Sequence, residues 1–118
     1  MSYKNISEFI EERDKLNKLV YEKKNLVIKR FFNLDSNVYN DGALSSKTKE
    51  LIGLISSLVL RCDDCINYHL TTCFKHGITD EELEEAVAIG LIVGGSITIP
   101  HIRRLFKMWE DLKQLPTE

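Results

Sequence analysis

Apolar positions in the first third of the chain recur at helical steps. From Ser7 onward Phe9, Ile10, Leu16, Leu19 and Val20 return every three or four residues among Glu, Lys and Arg. A second cluster follows in Leu26, Val27, Phe31, Phe32 and Leu34. The pattern predicts helices over 7–20 and roughly 22–34, or one bent helix. Asp35-Ser36-Asn37 and Asn40-Asp41-Gly42 are the first strong turn signals. Leu44-Ser45-Ser46 then predicts a helix start, with Ser45 as N-cap and Leu44 packing back on the first turn. The helix runs to Leu60 and is apolar nearly all round after Glu50, which predicts burial on most sides. In so short a chain, such burial calls for a neighbouring subunit. Glu50 is then an acid at the mouth of an apolar helix.

Arg61 to His76 reads as the next helix, closed by Gly77 where a left-handed C-cap belongs. Thr79 and Glu82 form a capping box, with Ile78 and Leu83 as its staple. That helix continues to Gly94-Gly95, and Ala86, Ala88 and Gly90 along it suit close helix contact. Ser96 to Pro100 is a connection or kinked first turn, because proline is tolerated only near a helix start. The last helix, about 99–114, carries Ile102, Leu105, Phe106, Trp109 and Leu112 on one stripe, with Trp109 and Phe106 as core or subunit contacts. No alternating strand pattern of useful length appears. The expected fold class is all-α, with five to six helices. A single domain spanning 1–118 is expected, with a helical N-terminal extension over about 1–40, small enough to gain from the burial that oligomerisation adds.

Composition narrows the partners. The formal net charge of −2 gives no sign of nucleic acid or an anionic membrane as partner. The longest strongly apolar run, Leu51 to Leu60, falls far short of the ~20 residues of a membrane span. Met1 to Asn5 leads into charged residues, so no secretory signal is expected. Three cysteines, two of them in Cys-x-x-Cys, do not make a disulfide-stapled secreted domain; a reducing cytoplasm suits them better.

The chemistry concentrates in Arg61-Cys62-Asp63-Asp64-Cys65-Ile66-Asn67-Tyr68-His69. On a helix, Cys62, Cys65 and His69 lie at i, i+3 and i+7, on one face. Two thiols one turn apart can close a disulfide, and an imidazole one turn further can take a proton from the nearer thiol. The helix start and Arg61 favour a thiolate, whereas Asp63 and Asp64 oppose it. If the 45–60 and 62–76 helices fold back antiparallel, Glu50 faces Thr72 and comes within reach of His69. There it would fix the imidazole's tautomer.

Three other readings compete. The cysteines and histidine could simply be half-buried core. Cys62, Cys65, His69 and Cys73 resemble a zinc ligand list, but on one helix Cys73 lies about 16 Å from Cys62, too far for one tetrahedral ion. A zinc site of Cys62, Cys65, His69 and Glu50 stays open. Thioredoxin-like chemistry lacks its βαβ context. Cys73 reads as a buried small hydrophobe, His76 as a helix C-terminal residue and His101 as a surface residue more readily than a pocket one.

Glu50, then Cys62-x-x-Cys65-x-x-x-His69, a Gly77 turn, an acidic helix start and Gly94-Gly95 together resemble the carboxymuconolactone decarboxylase family, and more closely its alkyl hydroperoxidase D-like branch. The match covers about 40–115. The resemblance implies a helical bundle with the active-site helix hairpin at its core, in a homo-oligomer of trimer or hexamer type. It implies thiol peroxidase or disulfide reductase activity on a hydroperoxide, re-reduced by a small thiol, a dithiol or a protein; the expected cycle needs no metal or organic cofactor. Cys65 would be the attacking thiolate, His69 its proton partner, Cys62 the resolving thiol and Glu50 the end of the relay. The chain departs from that branch at Asp64, where a histidine is common. Two alternatives remain: a lactone decarboxylase using His69 and Glu50 with inert cysteines, and a non-catalytic redox-sensing oligomer.

Overall fold

The computed structural model describes residues 3–116, which form six α-helices, one short 3-10 turn and, among the described residues, no strand. The chain divides after Ser46 into two compact units.

The first unit holds α1 (Ile6–Glu22) and α2 (Leu26–Val38). Each starts on an asparagine whose side-chain oxygen accepts a backbone N–H three residues on: Asn5 from Glu8 at 2.9 Å, Asn25 from Ile28 at 3.1 Å. Between the helices Lys24 takes a left-handed conformation (φ 56°), and Tyr21 meets Phe32 with ring centroids 5.1 Å apart. The two-helix expectation holds, but α2 continues straight through Asp35-Ser36-Asn37. Those residues lower helix propensity by only a few tenths of a kcal/mol each. Meanwhile the spacing Val27, Phe31, Leu34, Val38 keeps one apolar stripe to the helix end. The turn falls instead at Tyr39–Ser45. There the Asp41 carboxylate accepts the Ser46 N–H at 2.7 Å, and the Ser46 hydroxyl donates to the Tyr39 carbonyl at 2.6 Å.

The second unit holds α3 (Ser46–Val59) from its second residue on, with α4 (Asp63–Lys75), α5 (Asp80–Gly94) and α6 (Ile99–Gln114). Its core is Leu54 and Leu58 of α3, Ile66, Leu70 and Cys73 of α4, Leu83 and Val87 of α5, and Leu105, Met108, Trp109 and Leu112 of α6. Two of the three helix reversals use the same device. After α3 the Cys62 N–H reaches the Ser57 carbonyl and the Arg61 N–H the Leu58 carbonyl, both at 3.0 Å. After α4 the Ile78 N–H reaches Cys73 and the Gly77 N–H reaches Phe74, both at 3.1 Å. Each paired 6→1 and 5→2 closure needs one left-handed residue. Gly77 supplies it freely (φ 78°); Arg61 adopts it (φ 60°) at a cost of about 1 kcal/mol.

The capping box of α5 forms as expected: the Glu82 carboxylate accepts the Thr79 N–H at 2.8 Å and the Thr79 hydroxyl oxygen accepts the Glu82 N–H at 3.1 Å. Ile78 and Leu83 beside it are both buried. A Cβ on Gly90 would lie 2.8 Å from Leu58 Cδ2, so this glycine sets how closely α5 approaches α3. Ala86 shares that face, but Ala88 is exposed and takes no part. Ser96–Thr98 forms the 3-10 turn, and Pro100 sits in the first turn of α6 where no amide donor is needed.

The expected burial of α3 on most sides is not met within the chain: of its residues only Glu50, Leu54, Ser57 and Leu58 are buried. Ile52 and Leu60 stay exposed, as do Ile89, Ile92 and Val93 of α5. Between α3 and α5 runs an apolar groove of about 550 Å³, lined among others by Leu51, Ile55, Val59, Ala86 and Ile89. No helix among the described residues is long and apolar enough to cross a membrane.

Candidate functional site

The reversal at Arg61 decides where the first cysteine goes. The sequence places Cys62 inside a helix, but α4 begins one residue later and Cys62 is its N-cap. Its sulfur accepts the Cys65 backbone N–H at 3.2 Å, the position a serine or aspartate oxygen usually fills. The one-residue shift has a physical cause. The left-handed Arg61 ends the preceding helix in an extended residue, and an extended residue is what an N-cap requires. Cys62 and Cys65 are joined as a disulfide with Cα atoms 5.3 Å apart. Cys65 lies on the exposed side and Cys62 is half-buried.

One turn beyond Cys65, His69 turns into the interior and is 8% exposed. Its Nδ1 lies 2.8 Å from Oε1 of Glu50, itself 4% exposed. The antiparallel α3–α4 hairpin therefore brings together two residues 19 positions apart, as its expected geometry requires. A buried carboxylate and a buried imidazole are each costly alone and support one another as a hydrogen-bonded pair. With Nδ1–H donating to Glu50, the basic position of the ring is Nε2. No buried side-chain polar atom among the described residues lacks a hydrogen-bond partner.

The third cysteine, Cys73, is fully buried two turns after Cys65. Burial first, and the nearby Glu50 charge second, push its thiol up to about 12. It is therefore a packed thiol, as expected, and not a nucleophile at neutral pH. The unfolded chain ionises this thiol nearer 8.5. Between those values unfolding releases a proton, so stability falls as pH rises, by at most about 1.4 kcal/mol per pH unit. Urea midpoints from pH 7.5 to 10.5 are expected to decline more steeply for the natural chain than for Cys73→Ala. Parallel declines would refute the assignment.

His76 is the exposed C-cap of α4, as its position before Gly77 suggests. His101 is more than a surface residue. Its Nδ1 lies 2.7 Å from Asp63 Oδ1, while Arg104 Nε donates to Asp63 Oδ2 at 3.0 Å. His101 and Arg104 are thus bound to the residue that follows Cys62. The only sequence signal for this cluster is two basic residues one turn apart on the last helix, which names no acid for them to meet.

Among the described residues no group of three or more His, Cys, Asp or Glu side chains is arranged to hold a metal ion. None of Glu50, Cys62, Cys65 and His69 lines the apolar groove. What the cluster can do is exchange two electrons at a disulfide one helical turn from an imidazole oriented by Glu50.

Two relatives are known only as uncharacterised proteins. A Cupriavidus necator protein is 38% identical over 55 residues, covering 47% of this chain and 49% of that protein. The chain thus aligns with about half the length of that relative. A protein of the Paracoccus denitrificans cox locus is 27% identical over 82 residues, covering 70% of this chain and 74% of the other. Solved structures are more informative. A Thermotoga maritima protein superposes with TM-score 0.87 and 56% identity over 90% of this chain and 93% of its own. A second crystal structure of a Thermotoga maritima carboxymuconolactone decarboxylase family protein, one with a suggested antioxidative role, gives TM-score 0.85 at 56% identity, covering 90% of each chain. A Legionella pneumophila protein of the same family matches with TM-score 0.84 at 25% identity, covering 91% of this chain and 96% of the other. The family model for carboxymuconolactone decarboxylases matches residues 26–108. With that model spanning most of the sequence and the helical fold shared, this chain belongs to the carboxymuconolactone decarboxylase family.

Proposed function

We propose that the chain is a thiol-dependent peroxidase or disulfide reductase of the alkyl hydroperoxidase D-like branch. The observation that carries this reading is the buried Glu50–His69 pair, 2.8 Å apart and one turn behind a disulfide-forming Cys62–Cys65. An imidazole oriented one helical turn after Cys65 suits removal of a thiol proton.

In the proposed cycle His69 Nε2 takes the Cys65 proton, and Glu50 stabilises the imidazolium through Nδ1–H. The Cys65 thiolate attacks the distal peroxide oxygen and the O–O bond breaks. The alkoxide or hydroxide leaves as alcohol or water, taking the proton back from His69, and Cys65 becomes a sulfenic acid. The Cys62 thiol then displaces water to form the disulfide. An external dithiol resets the pair by exchange, surrendering two electrons and two protons. The exposed edge at Cys65 suits a bulky or protein reductant. The demand for a thiol donor suits a reducing, cytoplasmic setting.

The test is peroxide consumption by the reduced chain with dithiothreitol. Turnover is expected in the natural chain and lost in Cys65→Ser; equal rates in both, or none in either, would overturn the reading. The same reading includes a homo-oligomer, whose contact face we place on the α3–α5 groove with its exposed Ile89 and Ile92. Light scattering is expected to give a multiple of the 13.6 kDa chain mass, and a single chain mass for Ile89→Asp with Ile92→Asp. A monomeric natural chain would remove that part.

A further inference from the structure

We propose that Asp63, His101 and Arg104 act as a charge-compensating clamp that sets the reactivity of the Cys62–Cys65 pair, Arg104 being the positioning residue that cancels the Asp63 charge. The inference rests on the dithiol reading above.

Asp63 is the first residue of α4, directly after Cys62 and two before Cys65. A carboxylate there favours the helix, because it sits at the positive end of the backbone dipoles. Lying one residue from Cys62 and two from Cys65, it also opposes formation of a thiolate, an effect screened over about 8–10 Å at ordinary salt. The same side chain thus helps the fold and hinders the proposed chemistry.

The last helix resolves that conflict. Arg104 lays its Nε on Asp63 Oδ2 at 3.0 Å, and His101 places Nδ1 at 2.7 Å from Oδ1. Both carboxylate oxygens are therefore occupied from α6. Arg104 Nη2 also lies 3.2 Å from His101 Nδ1, longer than the imidazole's contact with Asp63. The geometry thus assigns the Nδ1 proton to the Asp63 bond. His101 orients the carboxylate through Nδ1–H, and the guanidinium supplies the balancing charge. Asp64, the other carboxylate between the cysteines, is exposed to solvent, where screening is stronger.

A strut that merely ties α4 to α6 would use the same contacts, but the two roles differ in sign. If charge matters, Arg104→Gln uncovers a carboxylate beside the sulfurs and Asp63→Asn removes one. If only the tie matters, both variants loosen the same joint and act alike.

The experiment measures iodoacetamide labelling of the fully reduced, full-length chain at pH 7 and low salt, with labels assigned to each cysteine by fragment mass. Labelling of Cys65 is expected to slow about threefold in Arg104→Gln and to quicken by a similar factor in Asp63→Asn. The double variant should return to within about twofold of the natural rate, and Arg104→Lys should stay near it. Circular dichroism melts establish that each variant is folded, and Asp63→Ser stands in if Asp63→Asn is not. Single variants that move in the same direction, or that leave the rate unchanged, overturn the clamp. Disulfide formation by the natural chain with added peroxide is scored separately. Its failure would remove the dithiol reading while the labelling rates still decide the clamp.

Discussion

Glu50→Gln is expected to lower peroxide turnover at least about a hundredfold while moving the thermal midpoint little. The separation follows from where the carboxylate sits. Glu50 is buried, and its Oε1 meets His69 Nδ1 at 2.8 Å. A glutamine carbonyl can still accept the Nδ1–H bond, so the imidazole keeps its orientation and its donor stays paired. What disappears is the negative charge that stabilises the imidazolium formed when His69 takes a proton. His69→Leu should lose activity to a similar degree but should also lose stability. It leaves the Glu50 carboxylate in the core without its partner, a change that typically costs about 3–5 kcal/mol. Steady-state peroxide consumption and urea unfolding of the two variants check both halves. Turnover of Glu50→Gln within about twofold of the natural chain would remove His69 and Glu50 from the proton path, whatever the cysteines do.

That pair is legible in the sequence because both ends carry local signals. Glu50 interrupts the start of an apolar helix, His69 follows Cys65 by one turn, and a hairpin at Leu60–Arg61 can bring them together in only one register. The N-cap role of Cys62 is not legible, because it depends on Arg61 taking a left-handed conformation that arginine seldom adopts and that only the Ser57 and Leu58 carbonyls make worthwhile. The same limit hides the Asp63 clamp. His101 and Arg104 lie 38 and 41 residues from their partner, and helical periodicity carries no information about which helix end α6 will cross. The extension of α2 through Asp35-Ser36-Asn37 is obscured for the opposite reason. There a composition cue for a turn competes with apolar spacing that runs on to Val38, and the spacing wins.

The largest structural effect is expected from Trp109→Ala. Trp109 is 2% exposed in α6, with its ring edge-on to Phe74 of α4 at a centroid distance of 5.2 Å. Its indole N–H donates to Asp80 Oδ1 at 2.7 Å, and Lys113 Nζ meets the other oxygen at 2.8 Å. Asp80 is the first residue of α5, as Asp63 is of α4, so α6 grips the opening turn of both helices. Truncating a buried tryptophan to alanine costs about 3–5 kcal/mol, a large share of the ~5–15 kcal/mol that holds a domain together. The melting midpoint should therefore fall by about 10 °C or more. Trp109→Phe keeps most of the volume and loses only the indole donor, so it should be milder at neutral pH and distinctive in acid. The Lys113 ammonium first, and the Trp109 N–H second, hold the Asp80 carboxyl below the usual carboxylate range. A carboxyl lowered by folding adds stability above its unfolded value and loses it as pH falls through the folded one. Removing the indole donor should shrink that acid-side decline, so the melting curves of the natural chain and Trp109→Phe converge below about pH 4. Curves that stay parallel through that range would show that the indole bond to Asp80 contributes nothing, and a Trp109→Ala midpoint within a few degrees of the natural one would show that α6 is not what holds α4 and α5 in place.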